Sequence, residues 1–527
     1  MIYELTTGSY ELKKASQSYL SVDCYELEKV LYTNKVYIPE YQYMNIWVPS
    51  PYIKEDGSLD RDVVVNGYTA STAPVIFRNN CTGWNSSSPE NAMENSIGIN
   101  DYMRLGYIFV ACGARSRNAV KNGINYGKAP MPLVDLKMGL RFLRQNKDSL
   151  PGNMDRIISI GGSGAGQMSL ALSVTGDMPD YYPYLYAYGA SGISKTEDGK
   201  YVSSISDSVY ACQAYYPITD INNYDSAYAW MRAGSPEKGV SMRFPIQADI
   251  TFTPFQLRLQ QDLAKAYVDY INSLGLKDAD GNTLRLESLR SGSYYAAILG
   301  NMSKALNAYL SNLDAPEDYA SKLLQTNAPG KSWVVRLSSG KLKVTSLDGF
   351  ILNSGNQGKP ETLGTLFLRN KDIPGVDTLS LYSENNAFGF SNEEAVHFSA
   401  SVEKVIEDNY EEYLKLMTDE EKEETSLWVN EVKDNRFLEY QAYLVNPLAI
   451  LLALKAGKQE TNPAKHWRIR SGTADEHASF SLAYNVALAL ALNGFDVDYS
   501  LVWAMIHGGE EEGTSTGTFI EWVESLR

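Results

Sequence analysis

The chain has 527 residues, 44% hydrophobic and 21% charged, which is ordinary globular composition. That length admits several domains or one large α/β unit with an insertion. A net charge of −16 and a pI near 4.9 exclude the basic face that nucleic acid or an anionic membrane would require.

From the N-terminus, Lys35–Pro39 and Asn45–Pro49 read as antiparallel strands of the kind that open many mixed sheets. Ala73–Phe77 reads as a short buried strand that runs into a polar loop, Arg78–Trp84. A helix-like stretch follows, then a second buried strand, Tyr107–Cys112, and a compact basic loop, Gly113–Arg117. Leu133, Leu136, Met138, Leu140, Phe142 and Leu143 give residues 131–146 the pattern of an amphipathic helix. Strands alternating with helices over 70–175 predict a doubly wound, mostly parallel α/β sheet.

The apolar, β-branched run Ile157-Ile158-Ser159-Ile160 ends in Gly161-Gly162-Ser163-Gly164-Ala165-Gly166 and passes into a helical pattern. Strand, sharp turn and helix with a serine at the apex is the layout of a nucleophile elbow. The turn needs small neighbours, and the alanine at 165, where the usual motif has its last glycine, still meets that need. A dinucleotide loop would require glycine where Gln167 stands, and a phosphate-binding P-loop would require a lysine that is missing. A glycine-rich turn that merely seats a helix on a sheet is the competing structural reading.

Another strand is expected at Val209–Tyr215. From 220 to 440 helical patterns such as Phe255–Leu274 and Glu403–Asn435 replace the alternation, with Thr418–Glu424 read as a solvated helix start. This block reads as an inserted lid, giving a core at 1–219, a lid at 220–440 and the rest of the core at 441–527. There Trp467–Arg470 is a strand, Ser479–Asn493 a helix and Tyr499–Ile506 a last buried strand.

A serine nucleophile needs a base, and the chain has four histidines: His397, His466, His477 and His507. His507 directly follows the last strand. Asp475 follows the strand at 467–470 and precedes His507 by 32 residues, room for one helix and one strand. The order Ser163, Asp475, His507 is that of the α/β-hydrolase triad. The carboxylate holds the imidazole tautomer and stabilises the imidazolium. Backbone N–H groups must hold the oxyanion; Gly164 follows the nucleophile, and Gly83 lies in the loop after the strand at 73–77. A surface histidine in a loop is the competing reading of His507.

Cys24, Cys81, Cys112 and Cys212 lack metal-ligand spacing and form no disulfide framework for a chain of this size. No apolar run reaches the roughly 18 residues of a membrane span. The N-terminus shows no basic start followed by an apolar core, so a cytoplasmic location is expected, with a secreted form that has lost its signal left open. The 37 tyrosines suit aromatic or carbohydrate surfaces as well as cores.

Several blocks together resemble the bacterial tannases (tannin acyl hydrolases) of the lactobacillus type, relatives of feruloyl esterases. The resemblance is densest in Arg156–Gly166, Tyr216-Pro217-Ile218, Asp225–Trp230, Ser383–Asn386, Asn446-Pro447-Leu448 and Ala464–Arg470. It implies an α/β-hydrolase with a large inserted lid, a triad on Ser163, Asp475 and His507, and oxyanion donors on Gly83 and Gly164. In such enzymes a lysine, a glutamate and an aspartate hold the galloyl hydroxyls. The first two match Lys371 and Glu384, for which a surface ion pair is the competing reading; the aspartate's place is taken by His477. A neutral imidazole offers one acceptor where a carboxylate offers several, so a less hydroxylated acid is an alternative to gallate. The expected activity is hydrolysis of small phenolic esters through an acyl-enzyme, with no metal or organic cofactor. A feruloyl or general acyl esterase, an acylaminopeptidase and a non-catalytic binding protein on the same scaffold stay as alternatives.

Overall fold

The fold was analysed in a computed structural model. The structure describes residues 2–5, 8–90, 98–233, 238–241, 248–251, 253–327, 330, 332–353, 387–389, 398–433, 435–475, 477–509, 511 and 515–527.

The architecture is a mixed α/β sheet with many helices. Its ten strands are β1 (Ile2–Leu5), β2 (Gly8–Lys14), β3 (Cys24–Val30), β4 (Met44–Pro49), β5 (Val75–Arg78), β6 (Ile108–Cys112), β7 (Ile157–Gly162), β8 (Ala211–Tyr215), β9 (His466–Ala474) and β10 (Asp496–Ile506). They are ordered β1-β2-β3-β4-β6-β5-β7-β8-β9-β10. The first strands pair antiparallel as far as β4 on β6, whereas β5 pairs parallel with both β6 and β7. The central strands read Val-Ile-Phe-Arg, Ile-Phe-Val-Ala-Cys and Ile-Ile-Ser-Ile-Gly-Gly and are almost wholly buried. Continuous β-branched runs of this kind are what a sheet covered on both faces requires. Near the margin of the sheet β2, flanked by β1 and β3, is mostly exposed.

One expected strand is absent: Lys35–Pro39 is irregular. The side chain of Gln42 accepts hydrogen bonds from the backbone N–H groups of Tyr37 and Ile38, at 2.6 and 2.9 Å, and Pro39 brings no donor. The local side-chain partner replaces a ladder.

The chain divides into two compact units. The first comprises Met1–Ala214, Ala387–Glu394 and Tyr440–Arg468; the second comprises Tyr215–Asn386, Ala395–Glu439 and Ile469–Arg527. Residues 469–527, expected with the core, thus group with most of the expected lid.

In the first unit, helix Met131–Gln145 is buried from Met131 to Leu143, its charged residues included. Asp135 receives Arg115 through Nε and Nη2 at 2.9 and 2.7 Å, and Asp207 receives Lys137 and Arg141 at 2.7 and 2.8 Å. Burial would raise the Asp207 carboxyl, but the two adjacent cations outweigh it and hold it below the ordinary value. Asp207→Asn strands the Arg141 guanidinium, which cannot shed its proton, so unfolding in urea should show a loss of about 3–5 kcal/mol.

The second unit is rich in helices. Pro254–Leu274 starts at a capping box of Thr253 and Gln256 and stops at Gly275 in the left-handed region. The helical pattern expected over 403–435 is two helices, Ala400–Tyr413 and Asp419–Val432, because Thr418 and Glu421 form a capping box that starts a new one. Buried tyrosines bind these elements together. Tyr267 shares a hydrogen bond with Ser481, Tyr294 donates to Asn485 at 2.6 Å, and the Asn485 amide donates back to Tyr267. Part of the large tyrosine content is therefore core. Among the described residues no single helix is long and apolar enough to cross a membrane.

Candidate active site

The first unit carries the serine and the loop facing it. β7 ends at Gly162, Ser163 takes φ 59° and ψ −129°, and helix Gly164–Val174 begins at the next residue. A non-glycine residue in this region stores strain that the packing around it must hold. A side chain at Gly161 would run into the carbonyl of Ala165, which explains the small residue there. At Gly164 a Cβ would stand 2.8 Å from Trp84 N, 2.9 Å from Cys81 O and 3.0 Å from Gly83 N. The loop Cys81–Trp84 therefore lies directly on the first residue of the helix.

That loop is held from several sides. Gly83 has φ 58° and ψ 22°, a conformation glycine adopts without penalty. Arg117 Nε donates to Gly83 O at 2.9 Å and Ser116 Oγ to Trp84 O at 2.6 Å. Asn79 donates to Ser169 Oγ at 3.1 Å, and Trp84 Nε1 donates to Gln167 Oε1 at 3.3 Å. Trp84 N is used by Cys81 O, whereas among the described residues neither Gly83 N nor Gly164 N donates to a protein acceptor. Two close amide donors beside a serine form the arrangement an oxyanion needs. Cys81 is no rival nucleophile: burial, with the Asp135 charge added, pushes its thiol up to about 12.

Gly164→Ala should displace the 81–84 loop and lower kcat by about 10²–10³, the usual cost of one lost oxyanion donor. Steady-state assays with an unchanged melting temperature would assign the loss to the site.

The second unit carries the acid and the imidazole. His507 follows β10 and is followed by Gly508 at φ 78°, with Gly509 N closing a turn on Ile506 O at 2.9 Å. His507 Nδ1 lies 3.0 Å from each oxygen of Asp475. Asp475 is 2% exposed, and its Oδ1 also accepts the backbone N–H groups of His477 and Ala478 at 2.8 and 3.0 Å. Burial would raise this carboxyl, but the His507 charge and hydrogen bond, followed by His477, outweigh it and hold it below its ordinary value. The carboxylate thus stays ionised and orients the imidazole of His507 through Nδ1.

The His507 ring also lies 5.0 Å from the ring of Tyr216 and 4.6 Å from that of His477. His477, expected to face substrate hydroxyls, is placed against the imidazole of His507. Lys371 and Glu384 lie outside the described residues. Sequence reasoning missed Tyr216, whose ring meets that of His507, and the bonded pair Arg470 and Glu511; two arginines, Arg468 and Arg470, inside strand β9 were the available signal.

A tannin acyl hydrolase from Lactobacillus plantarum is similar over 98% of this chain and 97% of its own, with 24% identity and a TM-score of 0.75. A tannin acyl hydrolase in complex with ethyl gallate gives 25% identity, the same coverage and 0.74. The Fusobacterium nucleatum tannase gives 22% identity, 98% of both chains and 0.73. No protein-family model and no curated protein sequence matches the chain. The full-length likeness shows a shared fold.

Proposed function

We propose that this chain, whose fold is that of the bacterial tannases, is a serine carboxylesterase that hydrolyses esters of hydroxylated aromatic acids. Ser163 Oγ attacks the ester carbonyl while its proton passes to His507 Nε2, and Asp475 steadies the imidazolium through Nδ1. The N–H groups of Gly83 and Gly164 receive the developing oxyanion. Collapse breaks the bond to the alcohol, which takes the proton from His507 and leaves as the free alcohol. A water molecule, deprotonated by His507, then attacks the acyl-enzyme; the acid leaves and Ser163 regains its proton.

The observation that carries this reading is the contact of the 81–84 loop with Gly164, which brings two amide donors beside the strained serine. The substrate class is taken from the fold neighbour whose complex holds ethyl gallate. A second reading, preference for a less hydroxylated acid, draws on the His477 ring being packed against His507. That ring has one acceptor nitrogen when neutral.

Rates on methyl gallate, methyl 3,4-dihydroxybenzoate, methyl ferulate and a short p-nitrophenyl ester, with an acylated peptide alongside, test both. Gallate leading the series supports the tannase-type reading, and the dihydroxybenzoate or ferulate leading supports the second. Hydrolysis confined to the p-nitrophenyl ester or the peptide overturns both, and no turnover at all leaves a binding protein.

A further inference from the structure

We propose that Arg470 is a positioning residue for His507, holding the imidazole loop from two sides through its side chain and its own carbonyl. Its side chain is 8% exposed on β9, five residues before Asp475. Its Nη2 donates to Asp498 Oδ2 at 2.6 Å, its Nη1 to Asp498 O at 2.8 Å and to Ile469 O at 3.1 Å, and its Nε to Glu511 Oε2 at 3.2 Å. Asp498 lies on β10, the strand that ends at Ile506, and Glu511 lies four residues beyond His507. The guanidinium fork therefore grips the histidine segment before and after the imidazole, and the side chain of Glu511 is only 11% exposed.

The second grip is through the backbone. Tyr216 N donates to Arg470 O at 2.6 Å, and the Tyr216 ring lies 5.0 Å from that of His507. Tyr216 has φ 33°, a left-handed conformation that costs energy for a tyrosine and that this short hydrogen bond helps to hold. A planar fork that serves Asp498 and Glu511 at once is a task for arginine; a lysine reaches as a point charge and cannot span both with fixed geometry. A buried ion pair adds little net stability but defines a geometry, which is what a base on a loop after a strand needs.

The proposal rests on His507 being the general base, and its test separates the two claims. Glu511→Gln, Glu511→Asp and Arg470→Lys are compared with the wild-type chain in three measurements: kcat and KM on methyl gallate, melting temperature, and the downfield proton resonance of His507 Nδ1–H bonded to Asp475. Glu511→Gln and Arg470→Lys should lower kcat by about tenfold to a hundredfold, the usual scale for a misplaced catalytic group, with KM within about twofold. The downfield resonance should broaden or disappear, and Glu511→Asp, which keeps the charge, should recover most of kcat. An unchanged kcat and resonance in both variants overturns the clamp, as does a loss of activity that follows melting temperature while the resonance persists. A wild-type chain that neither hydrolyses esters nor reacts with a fluorophosphonate at Ser163 defeats the esterase reading instead; the resonance in the variants then decides the clamp by itself.

Discussion

Ser163→Ala is expected to lower kcat on methyl gallate by about 10⁶, the scale found when the nucleophile of a serine hydrolase is removed. Among the described residues of the first unit the cysteines offer no substitute. Cys81 is a protonated, buried thiol, and the remaining cysteines are buried as well. The substitution removes one oxygen from a residue that is 9% exposed and leaves the strained turn to be held by Gly161 and Gly164. Folding stability should therefore change little or rise slightly. Residual catalysis over water should persist, because the amides of Gly83 and Gly164 can still receive an oxyanion. A variant within tenfold of the parent rate would mean that the reaction does not pass through Ser163.

Asp475→Asn should lower kcat by about 10⁴ while leaving the fold intact. The wild-type carboxylate accepts from Nδ1 of His507 with both oxygens at 3.0 Å and from two backbone N–H groups with Oδ1. Asparagine keeps one acceptor oxygen for the amides of His477 and Ala478 but turns an NH₂ group toward the imidazole. The ring then presents a bare Nδ1, and the proton moves to Nε2, where the base must be free. The substitution also has a signature in stability. The carboxyl of Asp475 is held below its unfolded value of about 3.9. Its contribution is thus present in full above the unfolded pKa and is lost as pH falls through the folded pKa. Denaturant titrations at successive acidic pH values should show the variant lacking that part of the decline.

The triad candidates were legible because each sits at the end of a strand marked by apolar, β-branched residues. Ile157–Ile160 and Leu501–Ile506 stand out in the sequence with Ser163 and His507 in the turns past them, and Asp475 directly follows Ala474, the last residue of β9. The 81–84 loop was marked in the sequence by Gly83 alone, as a candidate oxyanion donor. Its attachments through Asn79, Ser116 and Arg117 depend on segments up to 90 residues apart that no local pattern links. The same holds for the charged residues of helix Met131–Gln145, which a helical wheel assigns to solvent. They are buried because Arg115 and Asp207, each distant along the chain, neutralise them.

Two further features escaped for related reasons. Lys35–Pro39 has the alternation of a strand, but a side chain seven residues beyond Lys35 takes its donors. The clamp around His507 draws on Tyr216, Arg470, Asp498 and Glu511, one residue from each of four segments. Arg470 gave a local sign as one of two arginines in β9, Arg468 being the other, and its partners appear only once the strands are paired.

The most direct test of Ser163 as nucleophile is mass analysis of the chain quenched within milliseconds of mixing with methyl gallate. A galloyl ester is expected on the peptide that contains Ser163 and is expected to be absent in Ser163→Ala. Release of gallic acid with no acyl adduct on any peptide, or an adduct on a residue other than Ser163, would contradict it.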